Sequence, residues 1–97
     1  MNESYYVCKD MLGNRAVILC GEGYPICGIL LPSGSKGNLA SDKKLLAEAK
    51  PPLGGMMLDT VTCISIMEDN DGVIVRDNGF ECDWELSDEE KGYLSAR

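Results

Sequence analysis

Glycine, proline and Asn/Asp-Gly pairs cut this chain into apolar runs too short for long helices, and the runs between them alternate or stay apolar in the manner of strands. Residues 4–12 (SYYVCKDML) and 15–20 (RAVILC) flank Gly13-Asn14 and predict a hairpin. Gly21-Glu22-Gly23 breaks the second run. Pro25 then opens a third run at residues 26–31, interrupted by Gly28, and a glycine inside a strand predicts a bulge or bend.

Residues 32–38 (PSGSKGN) have loop composition. The strongest helical pattern follows at residues 39–50 (LASDKKLLAEAK). Ser41 is its candidate cap, Asp42 suits the positive end of the helix dipole, and Pro51-Pro52 stops it. Residues 57–67 (MLDTVTCISIM) predict a long buried strand, with Val61, Cys63 and Met67 on one face and Thr62, Ile64 and Ile66 on the other.

Asp71-Gly72 and Asn78-Gly79 are hairpin-type turns around a short strand at 73–76 (VIVR). Residues 80–86 (FECDWEL) alternate cleanly, with Phe80, Cys82, Trp84 and Leu86 toward a core. The S-x-x-E box at Ser87 to Glu90 predicts a short C-terminal helix. The expected fold is therefore α+β and β-rich: about six antiparallel strands in a meander or small SH3-like barrel, one internal helix and a short C-terminal helix, in a single domain covering residues 1–97.

Charge is distributed unevenly along this frame. Residues 68–90 hold ten of the sixteen carboxylates and a single cation, Arg76, so that segment alone is more negative than the chain's net charge of −7. On a strand, Glu81, Asp83 and Glu85 would stand about 6.8 Å apart on one face. Asp69, Asp71 and Asp77 sit in the neighbouring turns, and Glu89 follows. Like charges held so close cost stability unless something offsets them. A solvated face that keeps an edge strand soluble is one account. The other is a docking face for a basic protein surface, including one that normally holds a nucleic-acid backbone. Small phage-encoded anti-defence inhibitors such as anti-CRISPR proteins are a class with this size and charge.

Other chemistries are poorly supplied. The net charge repels nucleic acid and anionic membranes, and no basic stripe tracks a phosphate backbone. The absence of histidine removes Ser-His and Cys-His pairs, so the chain is expected not to be an enzyme. Asp69-x-Asp71-Gly72 is a fragment of a calcium loop, but Met67 and Asn78 fall where an EF-hand needs its first and twelfth ligands. Five cysteines without a C-x-x-C pair predict reduced, half-buried thiols, and no metal or cofactor is expected.

The loop Ser33-Gly34-Ser35-Lys36-Gly37, with Lys43 and Lys44 on the following helix, supplies an alternative in which Ser35, Lys36, Gly37 and Lys43 are the candidate contacts: an oligomeric binder of a nucleotide-like anion. A structural subunit pairing its edge strands between copies is a further one. Tyr5 and Tyr6 are adjacent and face opposite sides of their strand, so one of them is expected at the surface as an interface anchor. With no apolar run long enough to span a bilayer and no signal-peptide pattern at its start, the chain is expected in the cytoplasm, that of the host if a phage encodes it.

Overall fold

A computed structural model of the chain describes residues 4–10, 12–22, 24–35 and 39–76. Strands β1 (Ser4–Lys9), β2 (Arg15–Gly21) and β3 (Tyr24–Leu31) form an antiparallel meander. Helix α1 (Leu39–Glu48), strand β4 (Met56–Leu58), helix α2 (Thr60–Asp69) and strand β5 (Val73–Arg76) follow. The five strands make one sheet in the order β4-β3-β2-β1-β5, antiparallel throughout.

The sheet is open. β4 and β5 lie at opposite edges and do not pair, so the SH3-like closure expected from the meander does not occur. The expected sixth strand, the C-terminal helix and the Asn78-Gly79 turn fall outside the described residues.

Helices cover both faces, which explains why the strands read as nearly continuous apolar runs. Tyr5, Val7, Val17, Ile29, Leu31, Val73 and Val75 form one core with Leu46 of α1, and Leu45 packs against it. Tyr6, Cys8, Ala16, Ile18 and Leu58 form the other with Cys63 of α2, and Ile66 and Met67 pack against it. Successive side chains of β1 therefore feed opposite cores. Tyr5 and Tyr6 are 3% and 7% exposed, so neither is the surface anchor expected from their adjacency. Burying side chains the size of Ile18, Ile29 and Leu31 contributes on the order of 1.5–3 kcal/mol each before chain entropy is counted.

The largest departure from the sequence reading is at residues 57–67. Only Met56–Leu58 is strand, and Thr60–Asp69 is helix. Asp59 caps the helix by accepting a hydrogen bond from the Thr62 N–H at 2.7 Å. Cys63, Ile66 and Met67 are spaced i, i+3 and i+4 and turn toward the sheet, while Val61, Thr62 and Ile64 face solvent. The β-branched residues favour a strand locally; the cap and the buried stripe outweigh that preference.

Gly28 has a different part from the bend expected of it. The bulge lies between Leu19 and Cys20, where Cys20 pairs with Pro25 and Leu19 with Cys27, leaving Ile26 extra. A Cβ on Gly28 would stand 3.0 Å from the Cys63 sulfur and 3.0 Å from Ile18. Its missing side chain is what lets α2 lie close against β3.

α1 starts two residues before Ser41, placing that residue within the first turn and not at the cap. It ends in a Schellman arrangement: the Ala49 N–H donates to the Leu46 carbonyl, and the Lys50 N–H to the Leu45 carbonyl. Ala49 adopts φ 53° there, a left-handed conformation usually given to glycine.

Candidate functional site

Two regions of the described structure bring charged side chains together. The first is the C-terminal end of α2, where Glu68 and Asp69 close the helix and Asp71 follows before β5. All three are exposed. The hydroxyl of Tyr6 on β1 donates to the Asn70 carbonyl, and the Asn70 N–H returns to the Ile66 carbonyl at 3.0 Å, so the chain between the two acids is fastened to the sheet. Burial first, then the charges of Cys8 and Asp71, push the Tyr6 hydroxyl up to about 12, so it stays a hydrogen-bond donor at neutral pH. Asp69 lies on the helix and Asp71 beyond it, and no hairpin joins them to a preceding strand. Asp77, Glu81, Asp83, Glu85 and Glu89 lie outside the described residues.

The second region is a cavity of about 280 Å³ at the end of the sheet on the α1 side, lined by Lys9, Gly13, Arg15, Ser33, Gly34 and Ser35. Its walls come from three places. Lys9 and Arg15 are directly opposed across β1 and β2, so both project from the same face. The turn between these strands is built by Asp10, whose Oδ1 accepts from the N–H groups of Leu12 and Asn14, each at 2.9 Å. Asn14 Oδ1 in turn accepts from the Ser33 N–H at 3.0 Å, tying that turn to the loop after β3. The loop closes on itself through the Ser35 N–H and the Pro32 carbonyl at 3.0 Å.

Arg15 is the unusual member. It is 3% exposed, and its Nη2 donates to Oδ1 of Asp42 at 3.2 Å. Asp42 is 1% exposed and belongs to the first turn of α1, where the helix dipole also favours a carboxylate. Burial raises the Asp42 carboxyl to about 6, against the opposing pull of Arg15. Nε and Nη1 of Arg15, Oγ of Ser35 and Oδ2 of Asp42 are buried without a hydrogen-bond partner among the described residues.

The loop from Ser33 to Gly37 thus meets the cavity at Ser33, Gly34 and Ser35, and of the four candidate contacts Ser35, Lys36, Gly37 and Lys43 one lies in its wall. Ser35 lines the cavity, Lys36 and Gly37 fall outside the described residues, and Lys43 lies on α1, half-buried and not part of the lining. Lys9 and Arg15 were not singled out, Ser33 was read only as part of the same loop, and Asp42 only as a favourable charge at a helix start. The predicted hairpin did not carry the signal: a turn centred on Gly13-Asn14 would set Lys9 against Ile18, whereas the observed register is centred on position 12 and opposes Lys9 to Arg15.

Cys8 and Cys63 are buried thiols, and Cys20 and Cys27 are half-buried. Burial, then nearby Cys27, Asp59 and Cys20, push the Cys63 thiol up to about 11. Among the described residues no cluster of cysteines and carboxylates has the makings of a metal site, and no helix is long and apolar enough to cross a membrane. Compared with protein-family models, curated proteins and solved structures, the chain matches none of them.

Proposed function

We propose that this chain is a non-enzymatic protein-interaction module, a small acidic inhibitor or adaptor that docks its carboxylate-rich segment on a basic protein surface. Surfaces that handle nucleic acid present the required Arg/Lys grooves, and cytoplasmic phage-encoded anti-defence proteins such as anti-CRISPRs are one class with this size and charge. The observation that carries this reading is charge segregation: ten of sixteen carboxylates fall within residues 68–90. The described members Glu68, Asp69 and Asp71 are exposed on a helix end anchored through Asn70. Fixed charge of one sign speeds encounter with an opposite surface and makes association sensitive to salt.

The test compares the wild-type chain with a variant carrying amides at Asp69, Asp71, Asp77, Glu81, Asp83, Glu85 and Glu89. Both are used to capture proteins from a host lysate at low and high salt. The expected result is a basic protein, identified by mass spectrometry, held by the wild type at low salt, released at high salt and missed by the amide variant. Capture of the same protein by both forms would remove the acidic segment from the function.

A second reading, a small-anion binder, is favoured by one observation: the buried guanidinium of Arg15 at the wall of the cavity.

A further inference from the structure

We propose that the cavity between the β1–β2 turn and the loop after β3 binds a small phosphate-type oxyanion, either free phosphate or the phosphoryl group of a small metabolite. Lys9, Arg15, Ser33 and Ser35 supply the contacts.

The first argument is register. Lys9 and Arg15 oppose one another in an antiparallel pair, and like charges in that position repel. Asp42 answers only part of this. It engages one nitrogen of the guanidinium from α1, and it is not part of the cavity wall.

The second is unspent donors. A guanidinium carries five N–H groups. Among the described residues the Nε and Nη1 groups of Arg15 are buried without a partner, as is the Ser35 hydroxyl. Burying donors without acceptors is costly, and native structures rarely tolerate several at one place. Arg15 and Ser35 both line the adjoining cavity, and an oxyanion there would draw these donors out of their buried positions to meet it.

The third is shape. A volume of about 280 Å³ far exceeds the roughly 30 Å³ share of one water and lies at the lower edge of ordinary small-ligand sites. It suits a tetrahedral anion with a short carbon handle. The donors come from two strands and a loop, so they approach from different directions, which favours a tetrahedral group over a planar carboxylate. Arg15 is preorganised by Asp42, and the exposed Lys9 adds a second positive charge at the mouth. The carboxylate of Asp42 also lowers the net positive charge, which sets the expected affinity at millimolar dissociation constants and not nanomolar ones.

This site shares no residue with the acidic segment, so the two proposals stand or fall separately. The experiment is calorimetric titration with inorganic phosphate at constant ionic strength, with acetate as the planar comparator. One phosphate per chain is expected, together with a rise in melting temperature over matched chloride. Lys9→Ala and Ser35→Ala are each expected to weaken binding about fivefold, the loss of one modest polar contact. Removing Arg15 alone would strand Asp42, so the paired change R15M/D42L is used instead. It replaces a buried ion pair with apolar groups of similar volume and is expected to fold and to lose phosphate binding. The seven-amide variant is expected to bind phosphate at least as tightly as the wild type. Absence of heat and of thermal shift at about 20 mM phosphate would overturn the site. So would affinity unchanged in Lys9→Ala, Ser35→Ala and the folded double variant. Acetate binding as tight as phosphate would overturn the assignment to a phosphate-type anion.

Discussion

Gly72 sits against the ring of Tyr6 so closely that a Cβ there would stand 2.5 Å from the Tyr6 Cζ and 2.7 Å from the Val7 carbonyl oxygen. The two residues meet where the chain leaves α2, is held at Asn70 by the Tyr6 hydroxyl, and enters β5. Substituting Gly72→Ala forces either the ring or the backbone to move. Overpacking of this kind costs about 1–3 kcal/mol, and the denaturation midpoint should fall accordingly. Tyr6→Phe keeps the ring and loses the hydrogen bond, so its expected cost is nearer 1 kcal/mol.

At the other end of the sheet, Asp42→Ala leaves the Arg15 guanidinium buried and unpaired. Removing one partner of such a pair costs about 3–5 kcal/mol. The double change R15M/D42L should cost far less, and a double-mutant cycle measured by chemical denaturation tests the difference.

The same carboxyl leaves a signature in pH. Folded, Asp42 keeps its proton up to about pH 6; unfolded, it loses it near 3.8. Between those values the folded state holds the additional proton, so this group's contribution to stability is greatest at the acid end and declines as pH rises through the window. Asp42→Asn should abolish that decline. Melting temperatures of both forms across the window provide the check, and parallel curves would contradict the raised value.

Ala49 offers a change in the stabilising direction. It occupies the left-handed position of the α1 C-terminal motif at φ 53°. Ala49→Gly relieves a strain of roughly 1–2 kcal/mol, less the entropy glycine returns to the unfolded chain. A net gain of about 0.5–1 kcal/mol is expected in the unfolding free energy.

Ser65 tests the assignment of residues 60–69. It is exposed in the middle of α2, where Ser65→Pro removes a helical hydrogen bond and clashes with the preceding turn, a loss of about 3 kcal/mol or more. A concurrent fall in helical circular dichroism would tie the loss to α2.

Most of the meander was legible in the chain. Gly13-Asn14 marked the first turn, α1 followed from Leu45, Leu46 and the prolines behind it, and Val73 to Arg76 stood out as a strand. Residues 57–67 were not, because Val61, Thr62, Ile64 and Ile66 carry local strand preference while the decisive terms are the Asp59 cap and the Cys63, Ile66 and Met67 stripe pressed on the sheet. Without α2, the second face of β1 had no cover, and Tyr5 and Tyr6 were wrongly divided between inside and outside. The Arg15 and Asp42 contact spans 27 positions. Its acid was noticed only as a favourable charge at a helix start, because pattern along the chain does not report what a helix is laid upon.

The pairing of β1 with both β2 and β5 has a temporal consequence. During synthesis, β1 can zip to β2, as β2 in turn pairs with β3, almost as soon as they emerge. Its outer flank must wait for Val73 to Arg76, more than sixty residues after Lys9, before it gains a neighbour. In that interval nascent chains would expose the same unsatisfied amides and carbonyls to each other, making the growing polypeptide more prone to self-association than the finished one.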